Sequence, residues 1–522
     1  MAKTEASPSR EQGARLLSAP TLWQLLEQRA ALSPDDTLLI EAATDTRVSF
    51  GAFHRRVLDL AGWLHGQGVG AETVVAWQLP TAVQPVVVSF ALARLGAIQA
   101  PVIHLYRERE LSQILTQARA DFIIVPDDEA HLSMARAVAT EIPGGAPRVM
   151  CLPASVPRSL APEYEAARDE AVRWYYFTSG TTSRPKGARH TDQTLMAGSH
   201  HMAVALDVSA ADVGSIGYPI GHIGGTIYCA TALMAGMAVV LIDRYIPYEV
   251  VAAFCRYGVT LGGGSTAHYQ MLLAEQERTG ETPLIPTMKV LAGGGAAKPA
   301  GLFEQVRTRV GATIVHAYGM TEAPISANNS RHGSDDQLTH SDGMPMPGLE
   351  LRIVDSAGNR VPAGQSGEIL LRGPNVCKGY LDPAQTAAAF DDEGFLHTGD
   401  LGMIRPDGSL CVTGRIKDVI IRKGENISAR EIEELLLGHP KVADVAVIGL
   451  PDPIRGELVC AVVELSDPGD PLGFPEMVAH LADRKLMRQK IPERLEIVDC
   501  LPRNEGLQKV VKAELRARFT ET

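Results

Sequence analysis

Helical and strand-like hydrophobic patterns alternate along the first third of the chain. Apolar residues recur at helical spacing in the stretches 21–32 and 85–97, and the second of these stretches closes at Gly96. Short, continuously apolar runs at 73–79 and 121–126 indicate buried strands. Strands that alternate with helices in this way predict parallel sheets with helical crossovers.

The same alternation continues to about residue 345, with further strand-like runs at 239–242, 259–264, 289–295 and 313–319. From 348 onward, short alternating strands separated by glycine turns predict a smaller β-rich subdomain. After 428, two helical and two strand-like stretches predict a compact α+β unit with a basic helical tail. We therefore predict a large α/β N-terminal domain, residues 1–416, and a small α+β C-terminal domain, residues 417–522.

Composition narrows the class of protein without changing this picture. A chain of 522 residues is too long for one hydrophobic core, so two or three domains are expected. The hydrophobic share of 45% and the charged share of 21% are those of an ordinary globular protein. A net charge of -12 argues against a general nucleic-acid binder. The sequence leaves the oligomeric state open, a homodimer included.

Cysteine usage and hydropathy predict the compartment. Seven cysteines, with no C-x-x-C pair, argue against a disulfide framework and against a structural zinc site. The first twenty residues lack the apolar segment of a secretory signal. The longest uncharged apolar stretch, 231–242, is too short to span a bilayer and indicates a helix that passes through Gly236 into a buried strand. These features predict a cytoplasmic protein without a transmembrane segment.

The stretch "YYFTSGTTSRPKGA" at 175–188 has the composition of a phosphate-binding loop. Its glycines allow tight turns with exposed N–H donors, its hydroxyls add donors, and Lys186 adds a point charge suited to a polyphosphate. It is not a P-loop, because Lys186 precedes its glycine and no Ser or Thr follows the lysine. Local composition alone fits an ordinary solvated loop equally well.

Five segments taken together are more specific, and they occur in order: "YYFTSGTTSRPKGA", "AYGMTEA" (317–323), "HTGDLG" (397–402), "GRIKDVIIRKGENIS" (414–428) and "LPRNEGLQKVVKAELR" (501–516). They resemble the signature motifs of the adenylate-forming superfamily, which includes acyl- and aryl-CoA synthetases, peptide-synthetase adenylation domains and beetle luciferases. The resemblance covers the chain from about 20 to 516. It implies activation of a carboxylate by ATP to an acyl-adenylate and pyrophosphate, followed in most members by transfer to a thiol.

The resemblance also assigns expected roles around ATP. The loop would hold the β- and γ-phosphates, Tyr318 would lie against adenine, Thr321 would donate to the α-phosphate and Glu322 would ligate Mg²⁺. Asp400 would accept hydrogen bonds from the ribose hydroxyls, and Arg415 would contact ribose or phosphate. The full set of expected ATP-binding residues is Thr178, Ser179, Gly180, Thr181, Thr182, Lys186, Gly295, Tyr318, Thr321, Asp400 and Arg415. Taken alone, Thr321 could instead cap a helix, and Asp400 could form an Asx turn.

In the C-terminal part, the resemblance implies a moving domain. Lys417 stands at the family's hinge position, and Gly424, Glu425 and Asn426 match the loop that approaches the site during thioester formation. The family's adenylating lysine directly follows a glycine, whereas here Gly506 stands three residues before Lys509. We predict that Lys509 is the catalytic lysine, with Lys512 as the alternative.

The expected acyl pocket indicates an acid that carries no second charged group. Its predicted residues are His222, Gly263, Gly264 and Gly294, and no Lys, Arg, Asp or Glu occurs in the segments 218–226, 262–269 and 292–296. An apolar, fairly roomy pocket is expected to suit a medium-chain or alicyclic acid, with coenzyme A as the acceptor. The alternatives are an aryl acid, delivery to a carrier protein, and a catalytically weakened nucleotide- or acyl-binding protein.

Overall fold

The computed structural model describes residues 16–520 except 154, 159–160, 164–169, 179–184, 265, 295–300, 423–424, 453–454 and 505–508. The described α-helices are α1 Leu22–Leu32, α2 Phe50–Gly66, α3 Val83–Leu95, α4 Glu108–Ala118, α5 Glu129–Thr140, α6 Asp192–Ala205, α7 Ile223–Ala235, α8 Pro247–Tyr257, α9 Thr266–Thr279, α10 Leu302–Gln305, α11 Asp335–His340, α12 Pro383–Ala389, α13 Ala429–Leu436, α14 Phe474–Asp483 and α15 Lys512–Thr520.

The described strands form four sheets. They are β1 Thr37–Glu41, β2 Thr46–Ser49, β3 Val74–Trp77, β4 Ile98–Pro101, β5 Phe122–Ile124, β6 Arg148–Met150, β7 Val172–Thr178, β8 Lys186–Thr191, β9 Val213–Ile216, β10 Ala238–Leu241, β11 Leu261–Gly264, β12 Val290–Gly294, β13 Thr313–Met320, β14 Ala323–Asn328, β15 Met344–Pro345, β16 Glu350–Val354, β17 Gly367–Arg372, β18 Leu396–Ile404, β19 Leu410–Arg415, β20 Val419–Arg422, β21 Glu425–Ser428, β22 Val442–Asp452, β23 Gly456–Leu465 and β24 Arg494–Val498.

Two sheets of mainly parallel strands build the large domain. The nine-stranded sheet has the order β15-β14-β13-β12-β11-β9-β10-β1-β2. Its six strands from β13 to β1 are parallel neighbours, and the remaining strands pair antiparallel at its two edges. The six-stranded sheet has the order β6-β5-β3-β4-β7-β8, with only β8 antiparallel. Helices cover these sheets, as the alternating pattern predicts.

Glycines end two buried helices where the chain turns into the next strand. The apolar helix α3 ends at Gly96 with φ 67°, and α7 ends at Gly236 with φ 82°. Left-handed φ values cost glycine little, so each helix can stop abruptly beside its following strand. This confirms the predicted passage from a helix through Gly236 into a strand. No helix in the described part of the chain combines the length and the apolar character needed to cross a bilayer.

The predicted β-rich subdomain is the antiparallel sheet β16-β17-β18-β19. The small domain follows it, with the mixed sheet β21-β20-β23-β22, to which β24 adds in parallel beside β23. Helices α13 and α14 share one core with this sheet, and α15 packs into another. The predicted fold class, a large α/β domain with a β-rich part and a small α+β domain, is confirmed.

The carboxyl ends of the parallel strands define where a ligand would bind. Strands β11, β12 and β13 run in parallel and end next to one another, at Gly264, Gly294 and Met320. The binding crevice of open α/β sheets lies outside such strand ends. Gly264 and Gly294 lie at these ends, and Thr321 and Glu322 follow directly, so the fold gathers segments that are distant in sequence.

Candidate active site

Asp400 stands at the centre of a buried polar group at the end of β13. Its Oδ2 accepts a hydrogen bond from the Tyr318 hydroxyl at 2.9 Å, and its Oδ1 lies 2.9 Å from Nε of Arg415. Asp400 and Arg415 are cross-strand partners on β18 and β19, which explains their contact. Burial, and then the charge of Asp400, raise the pKa of Tyr318 well above its usual value, so its hydroxyl keeps its proton. Asp400 thus lies within a strand and not in the Asx turn considered above.

Lys509 brings a cation from the small domain to this group. The pKa of Lys509 is lowered to about 8, chiefly by burial and also by the charges of Arg415 and Lys417, while the charge of Asp400 opposes this shift. The backbone of Lys509 is fixed by Asn504, whose Oδ1 accepts from Lys509 N at 2.9 Å and whose N donates to Lys509 O at 2.9 Å. These two bonds close the lengthened loop at its base, so the added residue does not remove the lysine from the site.

Lys512 lies elsewhere. It begins α15, and its Nζ is 2.6 Å from Oε1 of Glu433, a carboxylate of α13 that also accepts from the backbone N of Val447. An ammonium held in this ion pair stabilises the small domain from within. Of the two candidate lysines, only Lys509 is placed beside Asp400 and Arg415.

Glu322 and Lys186 both contact Tyr380. The Tyr380 hydroxyl donates to Glu322 Oε1 at 2.7 Å, and Lys186 Nζ lies 5.3 Å from the centre of the Tyr380 ring. Lys186 pairs with Thr178 across β7 and β8, so both ends of the predicted phosphate loop are in place. The predicted loop residues Ser179, Gly180, Thr181 and Thr182 lie outside the described residues, as does Gly295.

Thr321 and Glu322 form the two-residue turn between β13 and β14. Thr321 therefore lies in a β-hairpin turn and not at the start of a helix, which the local sequence also allowed. The turn is held from below by His190 of β8, whose Nε2 donates to the Thr321 carbonyl at 2.8 Å. Burial lowers the pKa of His190 to about 4, so its imidazole is neutral and can keep this donor fixed.

The predicted hinge residue lies in a short connection between two sheets. Lys417 is the middle residue of a single 3₁₀ turn, Ile416–Asp418, that joins β19 of the large domain to β20 of the small one. The predicted CoA-side loop falls at the β20–β21 turn: Gly424 lies outside the described residues, and Glu425 and Asn426 are described only as backbone of β21. The domain boundary at 416 remains a prediction.

His222 is the N-cap residue of α7 and belongs to the first predicted acyl segment. Its Nδ1 accepts from Gly224 N at 3.1 Å, and its ring meets the Tyr218 ring edge-on at 6.0 Å. Burial, and then the charge of Lys509, lower the pKa of His222 to about 4. Together with Thr321, it also lines a small cavity between the two large sheets, whose other walls are Pro101, Ile103, Tyr106, Ile114, Tyr176, Phe177, Gly221 and Ile223.

The predicted pocket glycines serve close packing and do not open space. A Cβ on Gly263 would lie 2.9 Å from Ser215 O, and one on Gly294 would lie 2.0 Å from Ala317 O. At Gly264 the place of a Cβ is taken by His268, whose own Cβ would be 2.9 Å away. Neighbouring strands and His268 occupy the volume that a side chain would need at these three positions, so a larger residue could not stand there without a shift of its neighbours.

Aromatic side chains surround this region. Tyr245 and His268 meet edge-on with ring centres 4.3 Å apart, and Tyr218 and Tyr269 approach the same strand ends. The Tyr269 hydroxyl is buried and has no hydrogen-bond partner within the described part of the chain. A buried hydroxyl without a partner is costly, so it is a candidate to bind a polar group of a ligand.

Sequence reasoning did not find Tyr380 and His190. Each makes one hydrogen bond to the hairpin turn. Tyr380 lies 58 residues from Glu322 in the sequence, and His190 lies 131 residues from Thr321. Neither has a spacing or a neighbouring motif that would single it out. Only the fold reveals that they support Glu322 and Thr321.

Comparison with known proteins agrees with this geometry. The sequence model of the AMP-binding enzyme family matches residues 26–381, and that of the AMP-binding enzyme C-terminal domain matches residues 431–506. The chain belongs to the AMP-binding enzyme family. The predicted superfamily and enzyme class, an AMP-forming acid–thiol ligase, are thereby confirmed.

Curated relatives align with this AMP-binding enzyme over almost their whole length. The medium-chain fatty-acid–CoA ligase of Escherichia coli K12 is 28% identical over 532 residues, covering 98% of this chain and 93% of the relative. A feruloyl-CoA synthase of Amycolatopsis is 32% identical over 503 residues, covering 94% and 98%.

Solved structures share the fold of this AMP-binding enzyme. The ATP-bound MatB of Rhodopseudomonas palustris has a TM-score of 0.86 at 27% identity and covers 96% of this chain and 99% of its own. The o-succinylbenzoate CoA synthetase of Bacillus subtilis, in complex with ATP and magnesium, has a TM-score of 0.82 at 27% identity, with coverage of 94% and 98%.

Proposed function

We propose that the protein is an ATP-dependent acyl-CoA synthetase that converts a carboxylic acid without a second charged group to its acyl-adenylate and then to the CoA thioester. The observation that carries this proposal is that the buried Lys509 of the small domain lies close enough to Asp400, Arg415 and His222 for their charges to interact. Asp400 and Arg415 are predicted nucleotide residues and His222 is a predicted acyl residue, so the ammonium would act near both groups. That is where the carboxylate would attack the α-phosphate.

In this proposal, the nucleotide is held by the group around Asp400. The ribose hydroxyls would take the place of the Tyr318 hydroxyl or of Arg415 as donors to the carboxylate, and the Tyr318 ring would lie against adenine. Thr321 would donate to the α-phosphate from a turn that His190 keeps in position. Lys509 would stabilise the negative charge that develops between carboxylate and phosphate, because fixed donors act most strongly where charge appears in the transition state.

Glu322 suits the Mg²⁺ that accompanies ATP. One of its oxygens accepts from Tyr380, and the other has no bond to a described residue. Within the described ranges, no group of three His, Cys, Asp or Glu side chains could hold a metal by itself. A single carboxylate completed by phosphate oxygens and water is a common way to bind Mg²⁺, and the ion would neutralise phosphate charge.

Coenzyme A would act in the second half-reaction. We propose that rotation about Lys417 withdraws Lys509 and brings the 424–426 loop to the site, so that the thiol can attack the acyl-adenylate. The short 3₁₀ turn between β19 and β20 suits such a hinge, because few residues have to change their dihedral angles.

For the acid, we propose first a medium-chain or alicyclic substrate. The predicted acyl segments contain no charged side chain, and the low pKa of His222 leaves its imidazole neutral. The E. coli relative named as a medium-chain fatty-acid ligase supports this choice.

The second candidate is an aryl acid. The aromatic side chains of Tyr218, Tyr245 and Tyr269 would pack well against a flat ring, and the unpartnered Tyr269 hydroxyl could bind a ring substituent. The relative named as a feruloyl-CoA synthase supports this candidate.

A panel of carboxylic acids tests the proposal. Purified protein would be given ATP, Mg²⁺ and each acid, with and without CoA, and both pyrophosphate and thioester would be measured. We expect acid-dependent pyrophosphate release and a CoA thioester with the preferred acid. Pyrophosphate without thioester would favour a carrier-protein acceptor, and no pyrophosphate with any acid would favour the catalytically weakened binding protein.

All seven cysteines are free in the structure, in keeping with the proposed cytoplasmic location.

Replacing Lys186 by alanine should affect ATP and not the acid. Lys186 begins β8 at the edge of the predicted phosphate loop, and its loss removes a cation from the β- and γ-phosphates. We expect a higher KM for ATP or a lower kcat at saturating acid, with an unchanged ranking of the acid panel. A changed acid ranking with normal ATP kinetics would instead place this loop in the acyl pocket.

The adenylation step should show an alkaline limb set by Lys509. Because its pKa is about 8 in the free protein, the ammonium is lost as the pH rises through that value. The kcat/KM for pyrophosphate release should therefore fall about tenfold per unit above about pH 8. Lys509→Arg keeps its charge over this range, so its residual activity should lack the limb. An unchanged limb in Lys509→Arg would assign it to another group.

A further inference from the structure

A second link joins the two sheets that carry Tyr318 and Asp400, besides the hydrogen bond between these two residues. It runs through Asp342, whose side chain is only 8% exposed. The Oδ1 of Asp342 lies 2.9 Å from Nδ1 of His316 on β13, and its Oδ2 accepts from the backbone N of Val412 on β19 at 2.7 Å. One buried carboxylate therefore contacts both the nine-stranded sheet and the antiparallel sheet.

The backbone around Asp342 is fixed to β19 as well. Asp342 N donates to Leu410 O at 2.8 Å, and Leu410 N donates to Gly343 O at 2.8 Å. Burial alone would raise the pKa of Asp342, but the hydrogen bond and charge of His316, followed by the charge of Arg430, lower it to about 2. The carboxylate is therefore ionised and can only accept hydrogen bonds, so Nδ1 of His316 carries the proton between them.

The two links stand in matching register. His316 and Tyr318 are two residues apart on β13, so their side chains share one face of that strand. On the other sheet, Val412 of β19 is the cross-strand partner of Gly402, which lies two residues after Asp400 on β18. The same two-residue step therefore separates the two links on both sheets.

We propose that His316 and Asp342 form a bridge that fixes the spacing between β13 and the β18–β19 pair and thereby places Asp400 for the ribose of ATP. The inference rests on the proposed function, because that function assigns Asp400 to the ribose. The ribose hydroxyls would compete with the Tyr318 hydroxyl for Asp400, whereas the bond between His316 and Asp342 would stay intact and hold the two sheets. His316 and Asp342 are positioning residues and contact no substrate.

Loss of the bridge should weaken the ribose contacts more than the other contacts of the nucleotide. In the proposed complex, adenine lies against Tyr318 and the phosphates lie at Thr321 and the 178–187 loop, which all belong to the two large sheets or follow their strands. Asp400 and Arg415 belong to the antiparallel sheet. Hydrogen bonds weaken steeply as their geometry departs from the preferred one, so a relaxed spacing would act first on the bonds between the ribose and Asp400.

Ser341→Ala is the matched control for a test on Asp342. Ser341 is the buried neighbour of Asp342, and its Oγ lies 2.9 Å from both Asn329 Oδ1 and the carbonyl oxygen of Gln337, neither of which lies on β18 or β19. Its replacement should lower the melting temperature and leave the preference for a ribose with hydroxyls unchanged. A lower preference in this control would show that any disturbance of the loop has the same effect, and it would contradict the bridge.

The test compares the binding of ATP and of 2′,3′-dideoxy-ATP, each with Mg²⁺, by titration calorimetry. The second nucleotide lacks both ribose hydroxyls, so the ratio of the two affinities reports the ribose contacts. In Asp342→Ala, which removes both acceptors, we expect the affinity for ATP to fall about tenfold, about the loss of one hydrogen bond to a charged group. The affinity for dideoxy-ATP should stay within about twofold of wild type. Asp342→Asn keeps the shape and one acceptor oxygen, so its ratio should lie between those of wild type and Asp342→Ala.

An unchanged ratio in Asp342→Ala, or equal losses for both nucleotides, would overturn the bridge. If Asp342→Ala failed to fold, Asp342→Asn would decide, and an unchanged ratio in that variant would overturn the bridge in the same way. Wild type that bound ATP without preferring it to dideoxy-ATP would also overturn it. Wild type that bound no ATP would refute the proposed function together with the bridge, so the two failures are distinguishable.

Discussion

Replacing Lys509 by alanine is expected to slow acyl-adenylate formation by about 10²–10³-fold, equivalent to roughly 3–4 kcal/mol of barrier. The side chain is the cation that the small domain places beside Asp400 and Arg415. It would act only while charge develops between the carboxylate and the α-phosphate. Thioester formation from supplied acyl-adenylate should therefore survive. The two rates would be measured by ATP–pyrophosphate exchange and by thioester yield.

Lys512→Ala is the control for this prediction. Lys512 is paired with Glu433 inside the small domain, so its loss should lower stability and should not separate the half-reactions. Losing this partner leaves a buried carboxylate, for which a lower melting temperature is the expected sign. If Lys512→Ala lost adenylation selectively and Lys509→Ala did not, the assignment across the lengthened loop would be wrong.

Replacing Lys417 by proline is expected to abolish most thioester formation and to leave adenylation largely intact. Proline fixes φ and removes the N–H, so it should freeze the 3₁₀ turn that joins the two domains. Because Lys509 already lies at the nucleotide group, the frozen orientation is the one that adenylation requires. We expect pyrophosphate exchange to persist while thioester yield from synthetic acyl-adenylate falls by orders of magnitude.

Lys417→Ala separates backbone from side-chain effects. It removes the ammonium and keeps the turn mobile, so both half-reactions should change little. Equal losses of both half-reactions in the proline variant would indicate misfolding, and a selective loss of thioester yield in the alanine variant would indicate side-chain chemistry. Either result would refute the hinge assignment.

The hydrophobic pattern predicted much of the fold because local signals agreed with tertiary packing. Strands β10 to β13 lie close to the predicted apolar runs, and α3 and α7 end at the glycines that the pattern singled out. The order of strands within each sheet could not be predicted, because it depends on partners far apart in sequence. The turn at Thr321 shows the same limit: its residues also suit a helix start, and antiparallel pairing of β13 with β14 decides for a hairpin.

The motifs of the sequence name individual candidate residues but do not give their arrangement in space. Tyr318, Asp400, Arg415 and Lys509 were each identified from motifs, yet nothing local indicates that Tyr318 donates directly to Asp400. Nothing in the local sequence indicates that His268 takes the volume beside Gly264.

The most direct test of the central claim is ATP–pyrophosphate exchange without CoA, using the acid that the panel selects, followed by addition of CoA. The account predicts that labelled pyrophosphate enters ATP only when the acid is present and that no thiol is needed. Adding CoA should then convert the enzyme-bound acyl-adenylate to the thioester. Exchange that occurs without the acid, or only in the presence of CoA, would contradict a mechanism in which Lys509 first completes adenylation and then leaves the site.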